Sequence, residues 1–193
     1  MKKMRMIVLA AFAAVSMSVS AQESFQTFYL QYNPSSQKIS YDGHSTSTSF
    51  NGLSLGYSYA TPLGGIPLYL EFGGAAQWFF KSEDDTKTNL ISVKIPVNLL
   101  YSFEVSDVVK IQPYAGVYGR VNIIGKTKDD YADESWDWFS DGDAKRFQLG
   151  LNGGLRVSFN DYVFLGAGYY YDLMKIQEHT HFEGFDLTLG LVF

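Results

Sequence analysis

The chain contains no cysteine. A disulfide scaffold is therefore excluded, and so is a lipoprotein anchor, which needs a cysteine at the cleavage site. Past the first two dozen residues no apolar run reaches the roughly 18 residues of a membrane-spanning helix. Basic charge is scarce too. Lys and Arg total 15 against 20 Asp and Glu, and three of the basic residues (Lys2, Lys3, Arg5) sit at the extreme N-terminus. The remainder carries 15 − 3 = 12 basic against 20 acidic residues, a net charge of −8. That balance argues against nucleic acid as a partner, because phosphate neutralisation requires Lys and Arg.

Gly, Tyr and Phe are abundant instead, at 18, 14 and 15 residues. The N-terminal basic residues precede an apolar stretch, Met6 to Val19, and Val19-Ser20-Ala21 offers the small residues a signal peptidase reads. Residues 1–21 are expected to be a cleaved, Sec-type signal peptide and 22–193 a single domain. Eight alternating segments follow: Phe25 to Asn33, Phe50 to Thr61, Leu68 to Phe80, Asn89 to Phe103, Lys110 to Ile123, Lys145 to Phe159, Tyr162 to Lys175 and Phe182 to Phe193. Several exceed the usual soluble strand and suit the ~9–11 residues a tilted strand needs to cross a bilayer. Their connections alternate long and short, from the Ser/Thr-rich Pro34 to Ser49 loop to the minimal Asn160-Asp161 turn. The pattern predicts an all-β, eight-stranded antiparallel up-and-down transmembrane barrel.

The two faces differ in content. One carries uninterrupted apolar rows such as Ile91, Val93, Ile95, Val97, Leu99, with aromatics near the row ends. Those rows are expected to face lipid. The other face mixes glycines (Gly52, Gly56, Gly116, Gly150, Gly154, Gly166, Gly168) with Glu71, Lys94, Arg120, Arg146, Arg156, Asp172 and Asp186. In a narrow barrel these charges point inward and must pair, since a lone buried charge is very costly. Pro96, which has no N–H to donate, is expected to cause a bulge or bend. A last hairpin symmetric about residue 179 would set Asp172 opposite Asp186, with Arg146 or Arg120 near the same rim. The terminal row Phe185, Leu187, Leu189, Leu191, Phe193 is expected to pair with the first strand, closing the barrel.

Together the leader, the eight strands, "SVKIPVNLLYSF", "IQPYAGVYGR" and the terminal Phe resemble the small outer-membrane β-barrel proteins, a porin-family or OmpX/Ail/OmpA-like barrel domain. The resemblance implies residence in the outer membrane of a Gram-negative bacterium, among lipid and lipopolysaccharide. It also implies insertion by the barrel-assembly machinery, which would read Phe185, Leu187, Leu189, Leu191 and Phe193. Gly190 sits closer to the end than in the common form of that signal.

Candidate chemistry is thin. "GLSLG" (Gly52 to Gly56) matches a nucleophile elbow, but Ser54 lies mid-strand and the motif works only at a sharp strand-to-helix turn. His44, His179 and His181 fall in loops, and no third ligand is placed to make a metal site. A lipid-modifying enzyme would need a His with a Ser or an acid at the outer rim, where His44, Ser45, His179 and His181 could meet. The loop Lys126 to Lys145 carries seven acidic residues interleaved with aromatics. Asp129, Asp130, Tyr131, Trp136, Trp138 and Phe139 are the candidate surface for an extracellular partner. Eight strands enclose a bore that side chains can fill. The expectation is thus a non-enzymatic barrel without cofactor or metal, serving envelope integrity, adhesion or partner binding; a narrow or gated channel is the alternative, with an outer-leaflet lipid-modifying enzyme behind it.

Overall fold

The computed structural model describes residues 23–41, 44–83, 86–129, 131–132, 134–140, 144–176 and 180–193. They form one antiparallel sheet of eleven strands. In chain order these are β1 (Phe25–Tyr32), β2 (Ser35–Tyr41), β3 (His44–Pro62), β4 (Leu68–Glu83), β5 (Thr86–Tyr101), β6 (Phe103–Ser106), β7 (Val109–Asp129), β8 (Glu134–Asp137), β9 (Phe147–Phe159), β10 (Val163–Asp172) and β11 (Thr180–Val192). Eight of them make a ring: β1 pairs with β3 on one side and β11 on the other, which closes the sheet. The terminal row does what a last strand must, because Leu191 sits opposite Phe28 and Leu187 opposite Tyr32. The other three are continuations. β2 prolongs β1 past Asn33-Pro34 without a register change, β6 prolongs β5, and β8 folds back on the end of β7.

Termini and tight turns lie at one end of the ring, and the strands outrun it at the other. Asn160 and Asp161 join β9 to β10 with φ of 51° and 55°, the two left-handed positions of a type I′ hairpin. At the opposite end the expected Pro34 to Ser49 loop is instead a β-hairpin, β2 and the start of β3. Thr46 and Thr48 match strand propensity, although the Ser/Thr-rich stretch reads as a polar loop. β7 likewise runs six residues past the expected Ile123.

Outward residues form the apolar belt. Leu30, Leu55, Ile95, Leu99, Leu165, Leu187, Leu189 and Leu191 are all about half exposed. Aromatic contacts ring both edges: Tyr59–Phe72 and Tyr101–Phe103 at the turn end, Trp78–Phe80 and Tyr169–Phe185 at the loop end. From Phe185 to Phe193 the strand rises about 27 Å, or about 21 Å along the axis at a ~40° tilt, close to the height of a transmembrane barrel's apolar band.

Pro96 faces inward as its parity requires, but it makes no bulge. The β4–β5 ladder skips Gly73 and Gly74 opposite it and resumes in the same register, so the missing N–H costs a local gap only. The bulge occurs instead at Ile123, which has no partner between the Ile91–Ile124 and Ser92–Asn122 pairs. Ile123 and Ile124 are consequently both exposed.

Candidate functional site: the filled bore and the loop-end mouth

The bore is occupied by ion pairs on successive levels. Nearest the turn end, Glu71 of β4 meets Arg156 of β9 in a two-pronged contact, Nη1 to Oε1 at 2.6 Å and Nη2 to Oε2 at 2.7 Å. The Ser58 hydroxyl donates to the same carboxylate at 2.7 Å and the Asn98 amide at 3.1 Å. The Arg156 guanidinium is flanked by the rings of Tyr114 and Phe164, at 5.0 and 5.1 Å. On the next level Lys94 faces Asp186 at 3.6 Å and lies 4.5 Å from the centre of the Tyr118 ring. The Asn33 amide donates to Asp186 at 2.5 Å, and the Ser54 hydroxyl donates to Asn33. Above it Arg120 and the Tyr118 hydroxyl both donate to Asp172. Every one of these charges is buried.

Toward the loop end the inward series turns apolar. Phe50, Phe79, Leu90, Phe139, Ile176 and Phe182 pack into one cluster across the bore. The Arg120 guanidinium sits 5.4 Å from Phe182 and 5.7 Å from Phe79, so the cap rests directly on the uppermost ion pair. A vestibule of about 290 Å³ opens at the turn end and stops at Arg156 and Phe164. Beyond it, between Glu71, Lys94 and Asp186, there is only about 30 Å³. That is room for a water or two. Among the described residues, side-chain atoms of Gln77, Ser92, Asn122 and Gln148 on neighbouring strands have no protein hydrogen-bond partner.

The outer wall above the belt carries polar clusters. Glu183 receives Lys38 and pairs across from Tyr171, while the His181 ring lies 5.0 Å from that of Tyr171. Ser36 shares a hydrogen bond with Ser47 at 2.5 Å. Among the described residues no hydrogen bond joins His181 to a serine or a carboxylate, and no group of three His, Asp or Glu is gathered for a metal.

The sequence matches the family model described as "Outer membrane protein beta-barrel domain" over residues 7–193. The chain belongs to that family. It is an integral protein of the Gram-negative outer membrane. Among solved structures, this outer-membrane barrel is similar to Ail, the attachment invasion locus protein of Yersinia pestis, at 15% identity and a TM-score of 0.55, over 89% of this chain and 100% of that one. Ail has also been solved in complex with the heparin analogue sucrose octasulfate. The outer membrane enzyme PagL is similar at 11% identity and a TM-score of 0.52, over 85% and 97% of the two chains. These identities carry the fold and nothing finer. No curated protein sequence matches the chain.

Of the charges expected inside this outer-membrane barrel, six sit there as three pairs, and Arg146 does not. β9 begins only at Phe147, so the alternation that would aim Arg146 inward stops one residue short of it. Its guanidinium donates to the Ile123 carbonyl at 2.8 Å and lies 4.6 Å from the Phe139 ring, outside the bore. Asp172 and Asp186 are not opposite one another either. Asp186 pairs with Gly168, and the two aspartates take separate cations. The expected partner loop divides. Tyr131 and Trp136 are exposed, whereas Phe139 is buried in the cap and Trp138 packs against it, which removes Phe139 from any contact surface. Ser54 is a buried mid-strand hydroxyl and no nucleophile. The leader at 1–21, Asp130, and His179 lie outside the described residues, as do the side chains of His44 and Ser45.

Sequence reasoning passed over the neutral partners Asn33, Ser58, Asn98 and Tyr118. All four share the inward parity of the charges they serve, and that parity was the available signal.

Proposed function

We propose that the barrel is a non-conducting, non-enzymatic outer-membrane scaffold that holds its loop end outside the cell, for envelope integrity, adhesion or partner binding. The filled bore carries this reading. A channel needs a continuous wet path, and here three buried ion pairs and an aromatic cap stand in series. Support for an outward role comes from the β7–β8 hairpin beside Asp129, where Tyr131 is 89% and Trp136 49% exposed. Large aromatics held in water favour a contact surface.

Lipopolysaccharide is the natural surrounding partner. Just above the apolar pair Ile91–Ile124, β5 and β7 bring together Asn89 with Lys126 and then Lys87 with Lys128. Two and four residues up the strand correspond to about 7 and about 14 Å, the level of the lipid phosphates. The resemblance to other family barrels supports insertion by the barrel-assembly machinery, with Phe185 to Phe193 as the strand it reads.

Planar-bilayer recording on purified protein tests the scaffold reading, with no unit conductance expected; steady single-channel steps refute it. Deleting residues 129–143 should leave a folded, heat-modifiable barrel that has lost surface binding. An unchanged lipid profile on overexpression is expected as well, because the His181 ring packs tilted against Tyr171 and Glu183 is held by Lys38.

A further inference from the structure

β3 and β4 pair only as far as Asn51 and Phe80. Beyond that point the start of β3 pairs with β2 alone and the end of β4 with β5 alone, so two hairpins splay apart at the mouth. Between them lies a cleft of about 350 Å³. This falls within the ~300–1,000 Å³ common for small-molecule sites. Gln37 and Thr48, a cross-strand pair, form one wall; Lys81, Thr86 and Thr88 form the other, with Glu83 at its rim. Phe50 and Trp138 line the cleft where it meets the apolar cap.

The cleft is built rather than incidental. The Trp138 indole N–H donates to Thr127 Oγ1 at 2.9 Å, and that hydroxyl shares a second bond with Thr88 Oγ1 at 3.1 Å. The indole is thereby fixed to the wall that carries the hydroxyls. The cleft is also neutral, because Lys81 and Glu83 are paired with each other. An anion meets a cation already engaged, and a metal ion meets a single carboxylate. A lipid tail meets hydroxyl and amide walls. A neutral polyhydroxylated ring satisfies the whole lining, its C–H face on the indole and its hydroxyls on Thr, Gln and the ion pair.

We propose that this mouth cleft binds a short neutral glycan of one or two pyranose rings. The proposal rests on the outward-loop reading above, which decides that the cleft meets extracellular sugars. An extended peptide added to the free β3 edge is the competing occupant, but alternating side-chain pockets, which such addition uses for specificity, are absent from a cleft floored by two aromatic rings.

The full-length barrel, refolded in a detergent without a sugar headgroup, is titrated with glucose, galactose, N-acetylglucosamine, lactose and cellobiose while the heat of binding is followed by calorimetry. At least one sugar should give a saturable change. Trp138→Leu and the double variant Gln37→Ala/Thr48→Val should each weaken it about tenfold, the loss expected for one good contact in a neutral site. The double variant leaves the cap intact, and heat-modifiability on gels confirms folding of both. No saturable response to any sugar, a response untouched by the double variant, or binding of an alternating valine-threonine hexapeptide in place of sugars each overturns the proposal. Trypsin cleavage of the loops on intact cells tests the outward-loop reading separately: protected loops defeat that reading even where purified protein binds sugar, and cleaved loops with no sugar response defeat the glycan site alone.

Discussion

The Glu71–Arg156 pair offers the sharpest quantitative test of the bore. Both side chains are buried, joined by two short charge-assisted bonds, and Glu71 accepts two more from Ser58 and Asn98. Arg156→Met keeps the length of the aliphatic stem and removes the guanidinium. The carboxylate is then left with two neutral donors in a site of low dielectric, and losing one partner of such a pair costs about 3–5 kcal/mol. Glu71→Leu strands the guanidinium between the Tyr114 and Phe164 rings at a similar cost. The double variant Glu71→Leu/Arg156→Met removes both charges and restores an apolar filling of comparable volume. It should recover most of either single loss and lie within about 1–3 kcal/mol of the parent, since matched hydrophobic replacement of a buried pair is often neutral but the Asn98 amide loses its acceptor.

Urea-induced unfolding in lipid vesicles, followed by the shift of the folded band on unboiled gels, reads these differences. A loss of 3 kcal/mol is roughly two decades in the folding equilibrium, well outside the error of the extrapolation. The reasoning fails if either single variant loses less than about 1 kcal/mol, or if the double variant loses the sum of the two single losses.

Gly150→Ala would set its Cβ 2.2 Å from the Tyr118 ring, which Asp172 and Lys94 hold in place. A loss of about 1–3 kcal/mol in the same unfolding assay is expected, whereas Gly74→Ala, with nothing within 4 Å of its Cβ, should stay within about 0.5. Asn160→Val forces a β-branched residue to a φ of 51° and should cost about 1–2 kcal/mol and slow refolding, while Asn160→Gly should be tolerated. The hydrogen bond from Lys81 holds the Glu83 carboxyl below its ordinary value of 4.5. Its contribution is therefore present above that value and lost as pH falls through the lowered one. A carbon-13 titration should give Glu83 a depressed midpoint that returns to the ordinary range in Lys81→Ala. Deleting Phe193, whose backbone exchanges two hydrogen bonds with Gln26, should reduce the folded fraction in cells more than refolding in vitro.

The barrel was legible because the alternation is nearly unbroken. On β5 every odd residue from Ile91 to Leu99 faces out and every even one in, and a period of two leaves no freedom once one face is apolar. What stayed hidden lies where the period loses its grip. Arg146 has the correct parity, but parity means nothing before the strand begins at Phe147. The bulge at Ile123 reverses the faces of everything after it on β7, so Lys126 and Lys128 point outward and Thr127 inward, toward Trp138. Phe139 is folded back into the cap from a segment that reads as an outward contact surface, and composition averages away such a single anchor. Ladder gaps were equally hard to foresee, for Pro96 costs two pairings without any shift because Gly73 and Gly74 stand opposite.

The buried charges also bear on which register the barrel can adopt. A one-residue slip of β4 or β5 would turn Glu71 or Lys94 out into the belt now occupied by Phe72 and Val93. A lysine on the lipid face near the midplane costs about 2–4 kcal/mol, and its abandoned partner inside adds a further penalty. An apolar filling of the bore would carry no such charge penalty, because slipped and correct registers would then both bury hydrocarbon. The ion pairs thus specify topology even where they add little net stability. Tyr118 shows the same logic, since it serves Asp172 with its hydroxyl and Lys94 with its ring, and any displacement of β7 breaks both. On the scaffold reading proposed above, a bore committed to specifying its own closure in this way leaves recognition to the residues beyond the cap, at the mouth and on the loop-end wall.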